Sequence, residues 1–220
     1  MAILIGISIR DSGWEAVAQT TLSPARIQKA GRLAKPEDRL RCLGAGLALD
    51  AALRTIGLRE RDLHMAYTAH GKPVFPSHPS VHFSLSHSGE WCLCGLDDSP
   101  IGVDVQQRRH LDVVSLAQHY FSPEESAMII TLPESQRADT FFRLWTAKES
   151  VLKLEGTGLS GSLSSAQVHV GSTLSLVNHT YHLTEYPLEG YYMTVCSVGT
   201  PPSTLQILSG GNYYETHCQI

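Results

Sequence analysis

The chain has 220 residues, of which 42% are hydrophobic and 17% charged, and its formal net charge is −4 at pH 7. This composition is typical of a globular protein that buries a core as one domain or as two small lobes. A nucleic-acid-binding protein normally carries a basic patch, and a membrane span needs an apolar run of about 18 residues or more. The sequence therefore argues against both classes, and also against a signal peptide.

The five cysteines are odd in number and do not have the spacing of a disulfide framework. This pattern predicts free thiols in a reducing compartment, and we therefore expect the protein to be cytoplasmic. Cys92 and Cys94 alternate along a predicted strand. We interpret them as packing residues rather than zinc ligands, because no second Cys or His pair has metal-ligand spacing.

The first part of the chain predicts one strand followed by two helices. Residues 3–9 are apolar except for one serine, which favours a strand. The pair Ser23-Pro24 is typical of a helix start, and Pro36 begins a second helix that Gly57 is expected to end. The first of these helices carries basic residues at a spacing of three, for which a solvated face is the default interpretation: Arg26, Lys29 and Arg32.

Residues 81–89 alternate between apolar and polar side chains and predict a half-buried strand. The neighbouring Ser86 and His87 suggest nucleophilic catalysis, but adjacent residues of a strand point to opposite faces and no Gly-x-Ser-x-Gly motif is present. Residues 90–96 read as another strand, which we expect to pair with residues 101–105 across the intervening turn.

The segment from 101 to 106, with the sequence IGVDVQ, places an aspartate inside an otherwise apolar strand. A buried charge is costly unless it is paired or binds a metal ion. Asp104 is therefore either a hydrogen-bonded residue at a strand end or a functional carboxylate.

In the second half of the chain, a helical pattern over residues 113–120 precedes a serine, a proline and two glutamates at 122–125. These four residues have the form of a capping box, with Ser122 at the N-cap and Glu125 at the third helical position. Glu125 therefore has a structural role whether or not it has a chemical one. Farther along, strands are predicted at residues 181–186, 191–198 and 204–208.

Residues 141–155 predict one helix that ends at the following glycine. Its apolar residues form a broad stripe, which we expect to be buried, with Lys148, Glu149 and Lys153 projecting elsewhere. Glu149 and Lys153 lie four residues apart, so the simplest interpretation is a surface ion pair. Glu149 and Asp104 together, however, offer two hard oxygen ligands of the kind that Mg²⁺ binds.

The motif Gly-Val-Asp at 102–104, followed by Trp-Thr-Ala-Lys-Glu-Ser-Val-Leu-Lys at 145–153, resembles the paired signature of 4'-phosphopantetheinyl transferases. The length and the further motifs are similar to the surfactin-synthetase-activating (Sfp-type) branch. The resemblance implies an α+β fold of two similar lobes, about residues 1–105 and 106–220, related by a pseudo-twofold axis. The active site would lie in the cleft between the lobes.

The resemblance also implies a reaction. A monomeric, Mg²⁺-dependent enzyme would transfer 4'-phosphopantetheine from coenzyme A to a serine of an apo acyl or peptidyl carrier protein, and release adenosine 3',5'-bisphosphate. Cleavage of a pyrophosphate needs negative charge to be neutralised and the attacking oxygen to be placed in line, which a metal ion and cationic side chains can do.

Individual residues of this chain receive roles from the resemblance. Metal binding falls to Asp104, Glu149 and Gln106, and catalysis to Glu149, Lys153 and Glu125. Coenzyme A binding is implied for Arg26, Lys29, Arg41, Lys72, Pro73, Ser86, His87, Asp104, Lys148 and Lys153. Two alternatives stay open for the chemistry: His87 either donates to the pyrophosphate or is a structural histidine, and the base that takes the serine proton is Glu125 or, through a water, Glu149. The resemblance also allows Glu125 to be a third acid of the metal site.

One position departs from the family pattern. The residue two after Asp104 is often acidic in this branch, and here it is Gln106, whose amide oxygen can bind a metal ion but adds no charge. We therefore predict somewhat weaker Mg²⁺ binding than with a glutamate. Two rival functions also stay open: a coenzyme A or carrier-protein binding module that has lost transfer, and a scaffold that binds an acidic partner through the basic face at residues 26–41.

Overall fold

The computed structural model describes residues 2–11, 13–158, 163–166, 168–170, 176–178, 180–209 and 213. Over these residues the α-helices are α1 (Trp14–Thr21), α2 (Pro24–Gly31), α3 (Pro36–Arg54), α4 (Val113–Tyr120), α5 (Pro123–Thr131) and α6 (Glu134–Glu155). The strands are β1 (Ile3–Ser8), β2 (Ala66–Tyr67), β3 (Pro73–Val74), β4 (His82–Ser88), β5 (Trp91–Asp97), β6 (Ile101–Gln107), β7 (His169–Val170), β8 (Leu176–Val177), β9 (His182–Glu185), β10 (Tyr191–Ser197) and β11 (Leu205–Leu208).

The strands form two main sheets and two short hairpins. The first sheet has the order β11-β1-β5-β4, with β1 and β11 parallel and the other neighbours antiparallel. The second sheet, β6-β10-β9, is antiparallel throughout. The mixed α+β class that the sequence predicts is therefore confirmed. None of the helices that the structure describes is both long enough and apolar enough to cross a membrane.

The expected hairpin between residues 90–96 and 101–105 is wrong. Strand β5 pairs with β1 on one side and with β4 on the other, so neither of its edges is free for β6. After the turn the chain instead enters the second sheet, where Asp104 of β6 lies opposite Thr194 of β10. A short turn between two apolar strands predicts a hairpin only when an edge of the first strand stays available, and here distant strands occupy both edges.

Each main sheet is covered by a long helix. Helix α3 packs on the first sheet in a core that includes Ile5 and Leu47, and α6 packs on the second sheet through Phe141 and Leu144. A third apolar cluster joins the two sheets, with members from β1, β5, β6 and β10. Strand pairing crosses the expected division at residue 105, because β6 begins before it and β11 returns to the first sheet. The division therefore stays a prediction.

Local capping signals mark the start of α5 and the end of α6. Ser122 and Glu125 form the capping box that the sequence predicts, and Gly156 ends α6 with a φ of +74°. Helix α6 begins at Glu134 rather than at residue 141, however. Residues 134–140 are mostly polar, so they add nothing to the apolar stripe by which the helix was recognised.

The two main sheets meet along β4 and β6, where side chains replace the usual backbone pairing. Three alternate serine hydroxyls of β4 accept backbone N–H groups of β6: Ser84 from Val103 at 3.0 Å, Ser86 from Val105 at 3.3 Å and Ser88 from Gln107 at 3.0 Å. We call Ser84, Ser86 and Ser88 the serine ladder. It satisfies buried donors that would otherwise lack a partner, and it holds the sheets together at the place where Asp104 lies.

Candidate active site

Asp104 is buried at the junction of the two sheets, with only 2% of its surface exposed. Its Oδ1 accepts hydrogen bonds from Ser86 Oγ and from Lys153 Nζ, both at 2.7 Å. Its Oδ2 accepts a hydrogen bond from Gln106 Nε2 at 3.3 Å. Both carboxylate oxygens are therefore engaged and one is paired with a cation, which is the condition for burying a charge.

Gly102 allows α6 to approach Asp104. A Cβ atom at position 102 would lie 1.9 Å from the backbone oxygen of Ser150 in α6, so no larger residue fits between the strand and the helix. This close contact brings the face of α6 that carries Glu149 and Lys153 over the buried aspartate. The Gly-Val-Asp motif therefore needs a glycine at position 102, because a side chain there would collide with the backbone of α6.

Glu149 is half-buried and carries a perturbed carboxyl group. Burial raises the pKa of Glu149, the negative charge of Asp104 raises it further, and the positive charge of Lys153 partly opposes both effects. Among the described residues no hydrogen bond reaches the Glu149 carboxylate. The two acids therefore lie within electrostatic reach of each other, and Glu149 is the one whose oxygens are free.

Lys153 forms its ion pair with Asp104, so the simple interpretation of a surface pair with Glu149 is wrong. Its ammonium group has three acceptors: Asp104 Oδ1, Ser86 Oγ at 2.9 Å and the Val103 carbonyl oxygen at 3.1 Å. The partner was missed because it lies 49 residues away in sequence and becomes adjacent only when α6 packs on β6.

The oxygen donors at this place are two carboxylates and one amide. The amide oxygen of Gln106 accepts from Ser88 Oγ at 3.4 Å, while its nitrogen faces Asp104. No group of three or more His, Cys, Asp or Glu side chains arranged for a metal ion is found in the part of the chain that the structure describes. Hard oxygen donors in this number still suit Mg²⁺, which commonly binds one or two carboxylates and completes its shell with water and phosphate oxygens.

His87 projects from the face of β4 opposite to Ser86, as the strand alternation predicts. His87 is exposed, and the polar face that carries Ser86 is buried against the second sheet, which the pattern of a half-buried strand did not predict. Partial loss of water around the ring lowers the pKa of His87, and the positive charges of Lys153 and Arg41 lower it further. Arg41, in the second turn of α3, donates to the Gly89 carbonyl at 2.8 Å and forms ion pairs with Asp38 at 2.8 Å and Glu37 at 3.2 Å. Three predicted coenzyme-binding residues thus lie close enough to act on one another's charges.

Lys72 and Pro73 lie in the hairpin of β2 and β3, against the C-terminal end of α6. Lys72 Nζ donates to the Leu154 carbonyl at 2.7 Å, and burial lowers the pKa of Lys72. A cavity of about 220 Å³ lies beside them, and its lining includes Lys72, Pro73, Phe83, Leu85, Lys153 and Gly156. Because Lys153 also contacts Asp104, this cavity adjoins the acidic pair. A larger cavity of about 490 Å³, around Asp98 and Thr200, contains none of the predicted site residues.

Arg26 and Lys29 lie apart from the acidic pair, on α2. Arg26 is not on a solvated face as expected: its Nε forms a 2.7 Å ion pair with Glu60, and both side chains are less than one tenth exposed. Lys29 is exposed and lies 5.6 Å from the ring centre of Tyr67. These residues line a second cavity of about 220 Å³. Arg26 is therefore engaged within the protein, and Lys29 remains accessible.

Glu125 and Lys148 form a separate ion pair with a distance of 2.7 Å on another side of α6. The expectation that Lys148 projects outside the buried stripe is wrong, because its side chain is only 1% exposed. Its ammonium also donates to the carbonyl oxygens of Leu163 at 3.1 Å and Ala166 at 2.7 Å. The second carboxylate oxygen of Glu125 accepts a hydrogen bond from the backbone N–H of Ser122. The contacts of these two residues therefore join α5, α6 and the turn at 163–166.

The outer members of the serine ladder, Ser84 and Ser88, were missed by sequence reasoning. A signal was present, because three serines recur at every second position of β4. Such spacing places them on one face of the strand, but it does not tell whether that face meets water or another sheet.

Comparison with known proteins identifies the family of the chain. Residues 100–196 match the family described as the 4'-phosphopantetheinyl transferase superfamily. The chain is 33% identical over 184 residues to 4'-phosphopantetheinyl transferase Sfp of Bacillus subtilis, covering 80% of this chain and 82% of that protein. It is also 37% identical over 134 residues to 4'-phosphopantetheinyl transferase psf-1 of Bacillus pumilus, covering 58% and 57% of the two chains.

The chain belongs to the 4'-phosphopantetheinyl transferase family. The resemblance seen in its sequence is therefore confirmed, and with it the nature of the protein as a phosphopantetheinyl-transferring enzyme. A further relative, 4'-phosphopantetheinyl transferase HetI of a Nostoc species, is 33% identical over 146 residues, covering 64% of this chain and 62% of that protein. For this phosphopantetheinyl transferase the roles of individual residues stay predictions.

Proposed function

We propose that the enzyme transfers 4'-phosphopantetheine from coenzyme A to a serine hydroxyl of an apo acyl or peptidyl carrier protein, at a Mg²⁺ site formed by Asp104 and Glu149. The observation that carries the proposal is the convergence of these two acids and Lys153 at the junction of the two sheets. They come from β6 and α6 of one chain, which supports a monomer as the active unit.

The proposed metal ligands are Asp104, Glu149 and Gln106. The Gln106 amide would have to turn to bind the ion, because its nitrogen faces Asp104 and its oxygen accepts from Ser88 Oγ. Glu149 supports this assignment most strongly, because its oxygens receive no hydrogen bond from the described residues and its ionisation is opposed by Asp104. A divalent cation between two such carboxylates would relieve their repulsion. When bound, the ion would neutralise negative charge on the pyrophosphate.

The coenzyme is proposed to lie along the cavity that Lys72 and Lys153 line, with its phosphates directed toward Lys153, His87 and Arg41. Two observations support this placement. Cationic or hydrogen-bond-donating side chains lie along the path, and the cavity adjoins Asp104 and Glu149. Arg26, Arg41, Lys148 and Lys153 all bind carboxylates of their own chain. The side chains of Arg26 and Lys148 are less than one tenth exposed, so their contact with coenzyme A would require those ion pairs to open, whereas Arg41 and Lys153 are more exposed and could be shared with a phosphate.

Glu149 is proposed as the base, acting through a water, in preference to Glu125. Both oxygens of Glu125 are engaged, one by the Lys148 ammonium and one by the Ser122 N–H, whereas no hydrogen bond from the described residues reaches the Glu149 carboxylate. The serine oxygen of the carrier would form a bond to the phosphorus that bears pantetheine. The bond from that phosphorus to the bridging oxygen would break, the electron pair would leave with adenosine 3',5'-bisphosphate, and the serine proton would pass to Glu149.

Incubation with coenzyme A, Mg²⁺ and an apo carrier protein tests the proposal, with the mass of the carrier as readout. Wild-type enzyme should add one phosphopantetheine, and Asp104→Ala and Glu149→Ala should each abolish the addition while circular dichroism shows a folded protein. Turnover at the wild-type rate by either variant would refute the metal assignment. A panel of carriers from fatty acid, polyketide and nonribosomal peptide systems would identify the substrate class.

The presence of Gln106 in place of an acid is the observation that favours a second candidate, a binding module with little transfer activity. That module would bind coenzyme A without changing the carrier mass. A scaffold for an acidic partner would instead bind in a salt-sensitive manner without any dependence on coenzyme A.

We further propose that the two main sheets with their covering helices α3 and α6 correspond to two related lobes with a pseudo-twofold axis, and that the enzyme acts in the cytoplasm. The similar roles of α3 and α6 support the first proposal. The free thiols of Cys42, Cys92, Cys94 and Cys196 support the second. Superposition of the two halves in an experimental structure and fractionation of the source cells would test them.

A further inference from the structure

The middle member of the serine ladder has every bonding position of its hydroxyl occupied. Ser86 Oγ accepts from the Val105 N–H at 3.3 Å and from Lys153 Nζ at 2.9 Å. A hydroxyl has two acceptor positions and one proton, so the proton of Ser86 must be donated to Asp104 Oδ1, at 2.7 Å. Ser86 is buried, and the orientation of its hydroxyl is therefore fixed by the backbone and by the lysine.

Ser88, the last serine of the ladder, is linked to Asp104 Oδ2 through the side chain of Gln106. Ser88 Oγ accepts from the Gln107 N–H at 3.0 Å and donates to Gln106 Oε1 at 3.4 Å. This orients the Gln106 amide so that its nitrogen donates to Asp104 Oδ2. Ser84 differs from both, because the hydrogen bond of its hydroxyl is to the Val103 N–H and does not involve an acid.

We propose that two members of the serine ladder, Ser86 and Ser88, position the active site, and that Ser86 fixes the Asp104 carboxylate in its ion-binding orientation before coenzyme A and Mg²⁺ arrive. Ser86 is thus a positioning residue that acts through Asp104. Ser84 joins the two sheets but does not orient Asp104. The inference rests on the proposed metal site and deepens it. Partners that orient a metal ligand typically change metal affinity by about 10- to 100-fold when removed.

The matched pair Ser86→Ala and Ser84→Ala separates positioning from simple closure of the junction. Each variant removes the acceptor of one buried N–H, so each should lower the unfolding temperature by about 2–4 °C or more. The unfolding temperature is then followed as Mg²⁺ is titrated in the presence of saturating coenzyme A. Half of the Mg²⁺-induced shift should require about tenfold more Mg²⁺ in Ser86→Ala than in wild type, and an unchanged concentration in Ser84→Ala.

Ser86→Thr is the rescue variant, because it keeps the hydroxyl and a β-branched residue suits a strand. It should return the Mg²⁺ requirement toward the wild-type value. If Ser86→Ala does not fold, Ser86→Cys carries the same prediction, since a thiol keeps the volume but is a weak donor.

The outcomes distinguish this inference from the proposed function. A wild-type protein whose unfolding temperature does not respond to Mg²⁺ would overturn the metal site and this inference with it. A wild-type response that Ser86→Ala retains in full, or that Ser84→Ala loses equally, would overturn the positioning role alone. A loss confined to Ser86→Ala and rescued by Ser86→Thr would support it.

Discussion

Two lysines of α6 each form an ion pair with a carboxylate from another element, and the two pairs are enclosed to different degrees. The Lys148 side chain is 1% exposed and that of its partner Glu125 is 16% exposed. The Lys153 side chain is 28% exposed, while the side chain of its partner Asp104 is 3% exposed. In the first pair the cation is the buried member, and in the second pair it is the anion.

The neighbours of the two pairs explain what each can do. Lys148 and Glu125 direct their hydrogen bonds to each other and to backbone groups, so their charges are compensated within the protein. The pair of Lys153 and Asp104 has a third charged neighbour, Glu149, whose carboxylate has no hydrogen-bond partner among the described residues. A lysine–carboxylate pair is therefore available for chemistry when an accessible and uncompensated group lies beside it.

The largest expected difference between the two pairs is in turnover. Glu149→Gln should lower the rate of phosphopantetheine transfer by about 10²- to 10⁴-fold, because it removes the proposed base and a charged metal ligand. Its stability should not fall, since the raised pKa of Glu149 means that the folded state disfavours the charged carboxylate. Carrier mass spectrometry and thermal unfolding measure the two effects. Glu125→Gln is the control, and a larger loss of turnover there than in Glu149→Gln would reverse the assignment of the base.

The next largest effect should be a loss of stability when the pair of Lys148 and Glu125 is broken. Glu125→Ala leaves the ammonium of Lys148 buried without its carboxylate, so the free energy of unfolding should fall by about 3–5 kcal/mol. Urea denaturation measures this change. Lys148→Met serves as the comparison, because it removes the buried charge and leaves a partly exposed glutamate that still accepts from Ser122. If Lys148→Met cost as much as Glu125→Ala, burial of the cation would not be the cause.

A smaller effect, on the Mg²⁺ requirement, is expected when a charge is added beside the pair of Lys153 and Asp104. Gln106→Glu should lower the Mg²⁺ concentration needed for half-maximal transfer by about tenfold, because affinity rises with the number of charged ligands. Without Mg²⁺ the same variant should be less stable than wild type, since a third carboxylate would stand next to Asp104 and Glu149. Transfer assays and thermal unfolding with and without Mg²⁺ test both parts. An unchanged Mg²⁺ requirement would speak against Gln106 as part of the metal site.

The smallest expected effect is a pH dependence of stability that comes from Lys148. Burial lowers the pKa of Lys148, and the hydrogen bond and charge of Glu125 only partly oppose this. Between the lowered pKa and the ordinary lysine value of about 10.4, the unfolded state binds more protons than the folded state, so this group makes stability increase as the pH rises. Comparison of urea unfolding of wild type and Lys148→Met across the alkaline range should show a more positive slope for wild type, by less than about 1 kcal/mol in total. Parallel slopes would contradict the shift.

Much of the fold could be predicted from the sequence where the signal is local and periodic. The strands near 3–9, 181–186, 191–198 and 204–208 appear as β1, β9, β10 and β11, and the helix that ends at Gly156 is present. The pairing of β6 with β10 could not be predicted, because it depends on which sheet edges are already occupied. Strand register and neighbours are set by competition between distant segments rather than by the strands themselves.

The candidate site was predictable in part for the same reason. The acids Asp104 and Glu149 could be named because the two motifs that contain them, at 102–104 and 145–153, resemble the paired signature of the family. The environment of Lys148 could not be named, since helical spacing alone did not show that α5 and the turn at 163–166 cover it.

The sequence by itself determined the kinds of elements, their caps and the identities of the reactive groups. The capping box of Ser122 and Glu125 and the glycine end of α6 depend on residues only a few positions apart, so they form wherever the segment is placed. Only the tertiary structure decided which carboxylate each lysine meets. Lys153 reaches Asp104 because the chain leaves the first sheet after β5 and because Gly102 lets α6 touch β6, and both depend on packing between segments that are far apart in the chain.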